Sequence, residues 1–131
     1  MAEIKTNLRT FLVSKTAVTA IFSTRIYVDH IPPGAALPHA RITSIVEPHA
    51  YTMDNKPTRR ALLQIDIFDD SVVDCITARD AIKNALSGHS GTMGSITAGF
   101  VFVNDVRAQW NTDTDNPREI LEVRIGTSTS I

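Results

Sequence analysis

The residues of this 131-residue chain best suited to chemistry are four aspartates, four histidines, one cysteine and a glycine-rich stretch. Asp66, Asp69, Asp70 and Asp74 form the densest acidic cluster. Carboxylates this close can bind a divalent cation, but the spacing is not that of an EF-hand loop. Asp69 and Asp70 precede a helical pattern, where carboxylates cap free N–H groups and offset the helix dipole. The capping role is therefore expected, with a cation site as its alternative. His30, His39, His49 and His89 show neither the i, i+4 nor the His-x-His spacing of a zinc site, so no metal ligand is assigned. Gly88 to Gly94, GHSGTMG, fails as a phosphate loop because it lacks a lysine and follows a helix. It fails as a nucleophile elbow because Ser90 is followed directly by Gly91. A flexible connector is the expectation. Cys75 falls on an apolar helical stripe and reads as a small core residue. No catalytic residue, cofactor or metal is expected.

The elements that would position these residues are clearest between Thr58 and Gly88. Ala61, Leu63, Ile65 and Ile67 alternate with Leu62, Gln64, Asp66 and Phe68, the period of a two-faced strand. Ser71 with Asp74 resembles a capping box, and Val72, Cys75, Ile76, Ile82 and Leu86 follow at helical spacing. Gly88 stands where a left-handed C-cap is expected. Upstream, Ile4, Leu8, Phe11 and Leu12 predict an amphipathic helix, and Thr16 is placed to cap a second short helix through Phe22. Short strands are expected at 25–28 and 41–46, separated by the rigid loop HIPPGAALP.

Residues 48–58 read as a long polar excursion between two strands, and 111–117 as a hairpin loop; both are expected to be mobile until a partner orders them. Stretches 99–103 and 106–110 read as one strand bent at Asn104-Asp105, and 119–126 as the closing strand, followed by a frayed tail. The order predicts an α+β fold: one domain over 1–131, with a mixed, mainly antiparallel sheet and helices on one face. The strands at 41–46 and 119–125 are expected to leave an edge open to a neighbouring subunit.

Bulk properties narrow the function. A net charge of −1 lacks the basic stripe of a nucleic-acid-binding chain. No apolar run approaches the ~18 residues of a membrane span, and the N-terminal stretch lacks the pattern of a signal peptide. One cysteine excludes an intramolecular disulfide and fits a reducing compartment such as a cytoplasm. Arg79 and Lys83 border the helical stripe; their stems snorkel along the sheet with their heads in water, or they form inter-subunit ion pairs. Arg59 and Arg60 are an exposed stretch or a contact to an acidic partner. Tyr51 and Trp110 are core aromatics or interface anchors. Tyr51, Arg59, Arg60, Arg79 and Trp110 are thus the candidate interface residues.

With those residues laid out, the chain resembles the tail-completion, or tail-terminator, proteins of long-tailed bacteriophages. The resemblance rests on the leucine-rich helix and Ala/Val segment before Arg25-Ile26-Tyr27, the turn from Pro32 to Pro38, the strand RRALLQIDIFDD, the helix from Ala78 to Gly88, and the closing hairpin DVRAQWNTDTDNPREILEVRI. It departs from the pattern at His39, where the family often has an aromatic residue. The resemblance implies a structural virion protein of the tail and neck, forming a ring of six subunits on the head-proximal end of the tail tube. The implied partners are further copies of itself, the tail tube protein and a head-tail connector or head-completion protein, with no specific nucleic acid and no membrane. Another neck component and, more distantly, a metal-assisted hydrolase using the aspartate cluster are the competing readings.

Overall fold

The computed structural model describes residues 4–46, 49–51, 57–87, 89–94, 96–111 and 116–127. Its elements run α1 (Ile4–Val13), α2 (Thr16–Phe22), β1 (Ile26–Val28), β2 (His39–Val46), β3 (His49–Tyr51), β4 (Pro57–Phe68), α3 (Val72–Leu86), β5 (Gly91–Met93), β6 (Ile96–Asn111) and β7 (Asn116–Thr127). The fold is α+β, as the sequence predicts. One mixed sheet carries the order β1-β2-β4-β7-β6-β5, with β3 paired to β4 beside β2. Among the described residues only β1 with β2 is parallel; every other pair is antiparallel.

The alternation in β4 decides which residues enter the core. Leu63, Ile65 and Ile67 have no exposed surface, and they join Leu121, Val123 and Ile125 of β7 beneath the helices. From α3, Cys75, Ala78, Ile82 and Leu86 close that layer, and α1 adds Ile4, Leu8 and Leu12. Removing this apolar surface from water is the main favourable contribution to folding. Two members of the predicted α3 stripe do not belong to it. Val72 is 53% exposed and Ile76 36%, because Ile76 is rotated by roughly 100° from the inward-facing Cys75. The N-terminus of α3 is as predicted: Ser71 accepts a hydrogen bond from the Asp74 N–H at 3.1 Å. Gly88, the expected C-cap, lies outside the described residues; the helix closes at Ser87 in an extended conformation.

Three other expectations need correction. The 48–58 excursion contains β3, which pairs His49–Tyr51 with Pro57–Arg59; its centre, like residues 112–115 of the other loop and the tail from 128, lies outside the described residues. The stretch read as a flexible connector contains β5, paired to Ile96–Ala98. Gly94 there has φ +61°, and a Cβ on it would collide with the side chain of Asn7 and lie 3.1 Å from the Asn7 Cα. The glycine thus permits close approach to α1, where no other side chain fits. Finally, β2 and β7 are not the edges: β2 lies between β1 and β4, and β7 between β4 and β6. Antiparallel hairpin succession predicts neighbours along the chain, whereas the crossover that brings β1 parallel to β2 moves the edge outward. The bent strand is found as read, with a register shift between Val103 and Asp105.

Ile65 sits on the central strand without exposure. Ile65→Asp should therefore destabilise the protein by about 4 kcal/mol or more, a large part of a typical domain's stability. A cooperative unfolding transition close to that of the wild type, by circular dichroism, would contradict this assignment of the core.

Candidate functional site

The four aspartates do not act as one group. Asp66 faces away from the helices, yet is fully buried. Its carboxylate is held from both sides: Arg41 Nη2 of β2 lies 2.7 Å from Oδ2, and Arg118 Nη2 of β7 lies 3.1 Å from Oδ1. Gln64 Nε2 donates to Oδ1 at 2.8 Å. Arg118 also lies over the ring of Phe68, 5.7 Å from its centroid. With guanidinium groups on both oxygens, Asp66 has become the centre of a strand clamp and is poorly disposed to ligate a cation. Asp69 bonds the backbone N–H of Asp70 at 2.7 Å. Burial, then the charges of Asp74 and Asp70, raises its pKa against that hydrogen bond. Among the described residues, no group of three or more His, Cys, Asp or Glu is arranged to hold a metal ion.

Cys75 is buried as expected, its thiol 3.4 Å from the Ile67 carbonyl and 3.8 Å from that of Pro117. Burial first, and then the charge of Glu119, pushes its pKa up to about 11. It is a poor nucleophile at neutral pH, since the thiolate is the reactive form. His39 packs on Phe68 and Tyr27, with ring centroids 5.2 and 6.3 Å away. Burial holds its pKa below the usual range, and the neutral ring donates Nδ1–H to the Ala36 carbonyl at 3.1 Å. His89 stacks on Phe11 at 4.3 Å, with its Nε2 3.1 Å from the Thr92 carbonyl. At the β4 end of the sheet His39 and Phe68 line a depression of about 590 Å³ with Ile31, Leu37 and Asp70.

The five candidate interface residues separate. Arg79 finds its partners inside the chain: Nη1 lies 2.7 Å from Oε1 of the buried Glu119 and Nη2 3.0 Å from Oδ1 of Asp80. Those two hydrogen bonds and charges outweigh burial and raise the Arg79 pKa. Trp110 is 53% exposed on β6, and Phe102 56%. Tyr51, Arg59 and Arg60 lie on β3 and β4, while their side chains are outside what the structure describes. The sequence reading missed Phe102 and Val73. The signal for Val73 was available, because it lies off the helical stripe and is still apolar. The described surface thus offers apolar contact area and paired charges.

Comparison with known proteins agrees with a virion component. The family model described as tail completion protein gp17 matches residues 6–128. The chain therefore belongs to the tail completion protein gp17 family, and is a structural protein of the phage tail and neck. Among solved structures, a chain from the "Virion of native gene transfer agent (GTA) particle" superposes with a TM-score of 0.75 at 17% identity. The match covers 96% of this chain and 95% of that one, which establishes the shared fold. No curated protein sequence matches significantly.

Two outcomes follow from this geometry. Asp66→Asn should destabilise the fold by about 2–4 kcal/mol, the ~3–5 kcal/mol of breaking a buried ion pair lowered by the partial exposure of both arginines. Glu122→Gln, which loses only the exposed pair with Arg107, should cost about 1 kcal/mol or less. Urea midpoints for the two variants test the contrast; equal losses would refute the clamp. For Cys75, the folded protein keeps the thiol proton to about pH 11, while the unfolded chain releases it near 9.0. This contribution is intact below 9 and is lost as pH rises through 11. Wild type should thus lose more stability than Cys75→Ala over that interval, measured by parallel urea titrations.

Proposed function

We propose that the protein is a tail terminator: a homo-oligomeric ring of six subunits that caps the tail tube and forms part of the head-tail junction. The observation that carries this reading is the family match across residues 6–128 of a domain whose reactive groups are occupied in holding the fold. Asp66 is clamped between two arginines, Asp69 bonds the Asp70 N–H while Ser71, not an aspartate, caps α3, the thiol is buried, and the described histidines with resolved contacts pack on aromatic rings. That use of side chains supports a protein acting through surface and assembly, without catalysis. The structural similarity to a chain of a gene transfer agent virion supports the same class. Its partners would be copies of itself, the tail tube protein and the connector or head-completion protein. Trp110, which is exposed, and Arg59, Arg60 and Tyr51 remain the side chains proposed to meet those neighbours.

Deleting the protein should leave tails that are wrongly terminated and unattached, beside DNA-filled heads, in electron micrographs of lysates. Normal-length tails joined to heads would exclude the terminator role. Tails of normal length that fail to join would favour another neck component. Ser90→Ala and each His→Gln change should leave infection intact. A block in infection with assembly preserved would restore the enzymatic reading.

A further inference from the structure

Residues 29–38 form a strap between β1 and β2, and its Ile31 and Leu37 line the depression of about 590 Å³ together with Phe68 and Arg41. The strap is fastened at both ends. Lys5 Nζ holds Asp29 Oδ2 at 2.7 Å, and the Asp29 N–H donates to the Ile42 carbonyl at 2.9 Å. At the other end Arg25 Nε donates to the Pro38 carbonyl at 2.9 Å, and His39 Nδ1–H to that of Ala36 at 3.1 Å. Of these four fastening side chains, only the imidazole changes charge close to neutral pH.

The site around His39 is built for the neutral ring. It lies against Tyr27 of β1 at 6.3 Å and Phe68 of β4 at 5.2 Å. Arg25 acts on it from the residue before β1, and Arg41 stands on the same face of β2 two residues along. Arg118 of β7 already lies over the Phe68 ring, 5.7 Å from its centroid, so a second cation there would meet like charge. Among the carboxylates, Asp66 is taken up between Arg41 and Arg118. Asp70, ahead of α3, lines the depression but is exposed, where water and salt screen it. On the strap itself His30 and Asp29 are exposed, and Asp29 is met by Lys5.

We infer that His39 is an acid-sensitive latch: protonation of its ring frees the 29–38 strap and opens the depression while the sheet stays folded. Nδ1 donates in either charge state, so the hydrogen bond to Ala36 does not decide the outcome. The imidazolium gains water by leaving Phe68 and Tyr27, and it draws the Ala36 turn with it. Burial first, and then the charge of Arg25, hold the proton affinity of the closed ring below the ordinary pKa of 6.5, against the Ala36 hydrogen bond. The open strap therefore binds a proton that the closed strap lacks. Closure is fully favoured above 6.5 and weakens as pH falls below that value. The latch does not depend on whether the protein caps a tail tube.

Hydrogen exchange of the full chain, followed by NMR at pH 7.5 and 5.0 and corrected for intrinsic rates, tests it. The hydrogen-bonded Asp29 and Ala35 amides should exchange faster at pH 5.0, by up to about thirtyfold, the limit set by a free imidazole pKa of about 6.5. Amides of β4 and β7 should keep their protection. His39→Phe keeps an aromatic ring and His39→Gln keeps a hydrogen-bond donor, yet neither titrates. In both variants the strap should exchange alike at the two pH values, whatever its starting level. The His39 ring resonances of the wild type should titrate with a midpoint below 6.5. A wild-type strap unmoved by acid, acid opening that persists in either variant, or a ring midpoint at or above 6.5 would overturn the latch. So would loss of β4 and β7 protection together with the strap, since acid would then be unfolding the whole domain.

Discussion

The burial of one carboxylate governs the arrangement of this sheet. Asp66 lies on β4, and its two oxygens draw guanidinium groups from β2 and β7, the strands on either side. A carboxylate removed from water is costly unless charge and hydrogen bonds replace its hydration. The three strands must therefore stay in the register that brings Arg41 and Arg118 to it. Because side chains alternate, a slip of one residue in β4 would turn Asp66 into the apolar layer under α3 and expose Ile65 and Ile67. The apolar alternation and the ion cluster thus specify the same register from opposite faces.

The helix-bearing face carries a smaller version of the same device. Glu119 on β7 is 3% exposed and is compensated by Arg79 from α3. It also lies close enough to Cys75 to raise the thiol's pKa. This ion pair ties the middle of α3 to the strand beneath it, where the helix otherwise presents small residues such as Cys75 and Ala78. The charges that looked available for an inter-subunit bridge are consumed in positioning the helix. What remains outside is the apolar first turn, Val72 and Val73, whose exposure follows from the direction in which Arg79 and Cys75 orient the helix.

The β4–α3 unit was legible in the sequence because its signals are local: alternation, an N-cap serine, and helical spacing. The polar side of β4 was legible as polar, but not as buried. Asp66 loses its solvent to Arg41, 25 residues earlier in the chain, and to Arg118 on a strand beyond α3. Neither proximity leaves a mark in periodicity. β3 and β5 were missed because three-residue strands carry too few side chains to show a period, and both exist by pairing with longer strands already in place. Arg79 was identified as a residue at a boundary, yet the sequence offered no means of choosing Glu119 over a neighbour. For the candidate interface, residue type pointed to Trp110, whereas Phe102 stands opposite Arg124 on the face away from the helices, on the part of β6 past the extent of β5.

That extent of β5 matters for how the molecule meets others. A sheet has two ends, and each exposes backbone that invites pairing. Here α1 lies along β1, and Arg9 takes the carbonyls of Ile26 in β1 and of Thr24 just before it, so one end is capped by a charged side chain. At the other end a three-residue strand closes only the first part of β6, and the register shift between Val103 and Asp105 bends the remainder. A bulge of this kind increases local twist and discourages flat, indefinite strand addition. What this end presents is therefore side chains, Val106 and Trp110 on the helix-bearing side, more than an open hydrogen-bond ladder.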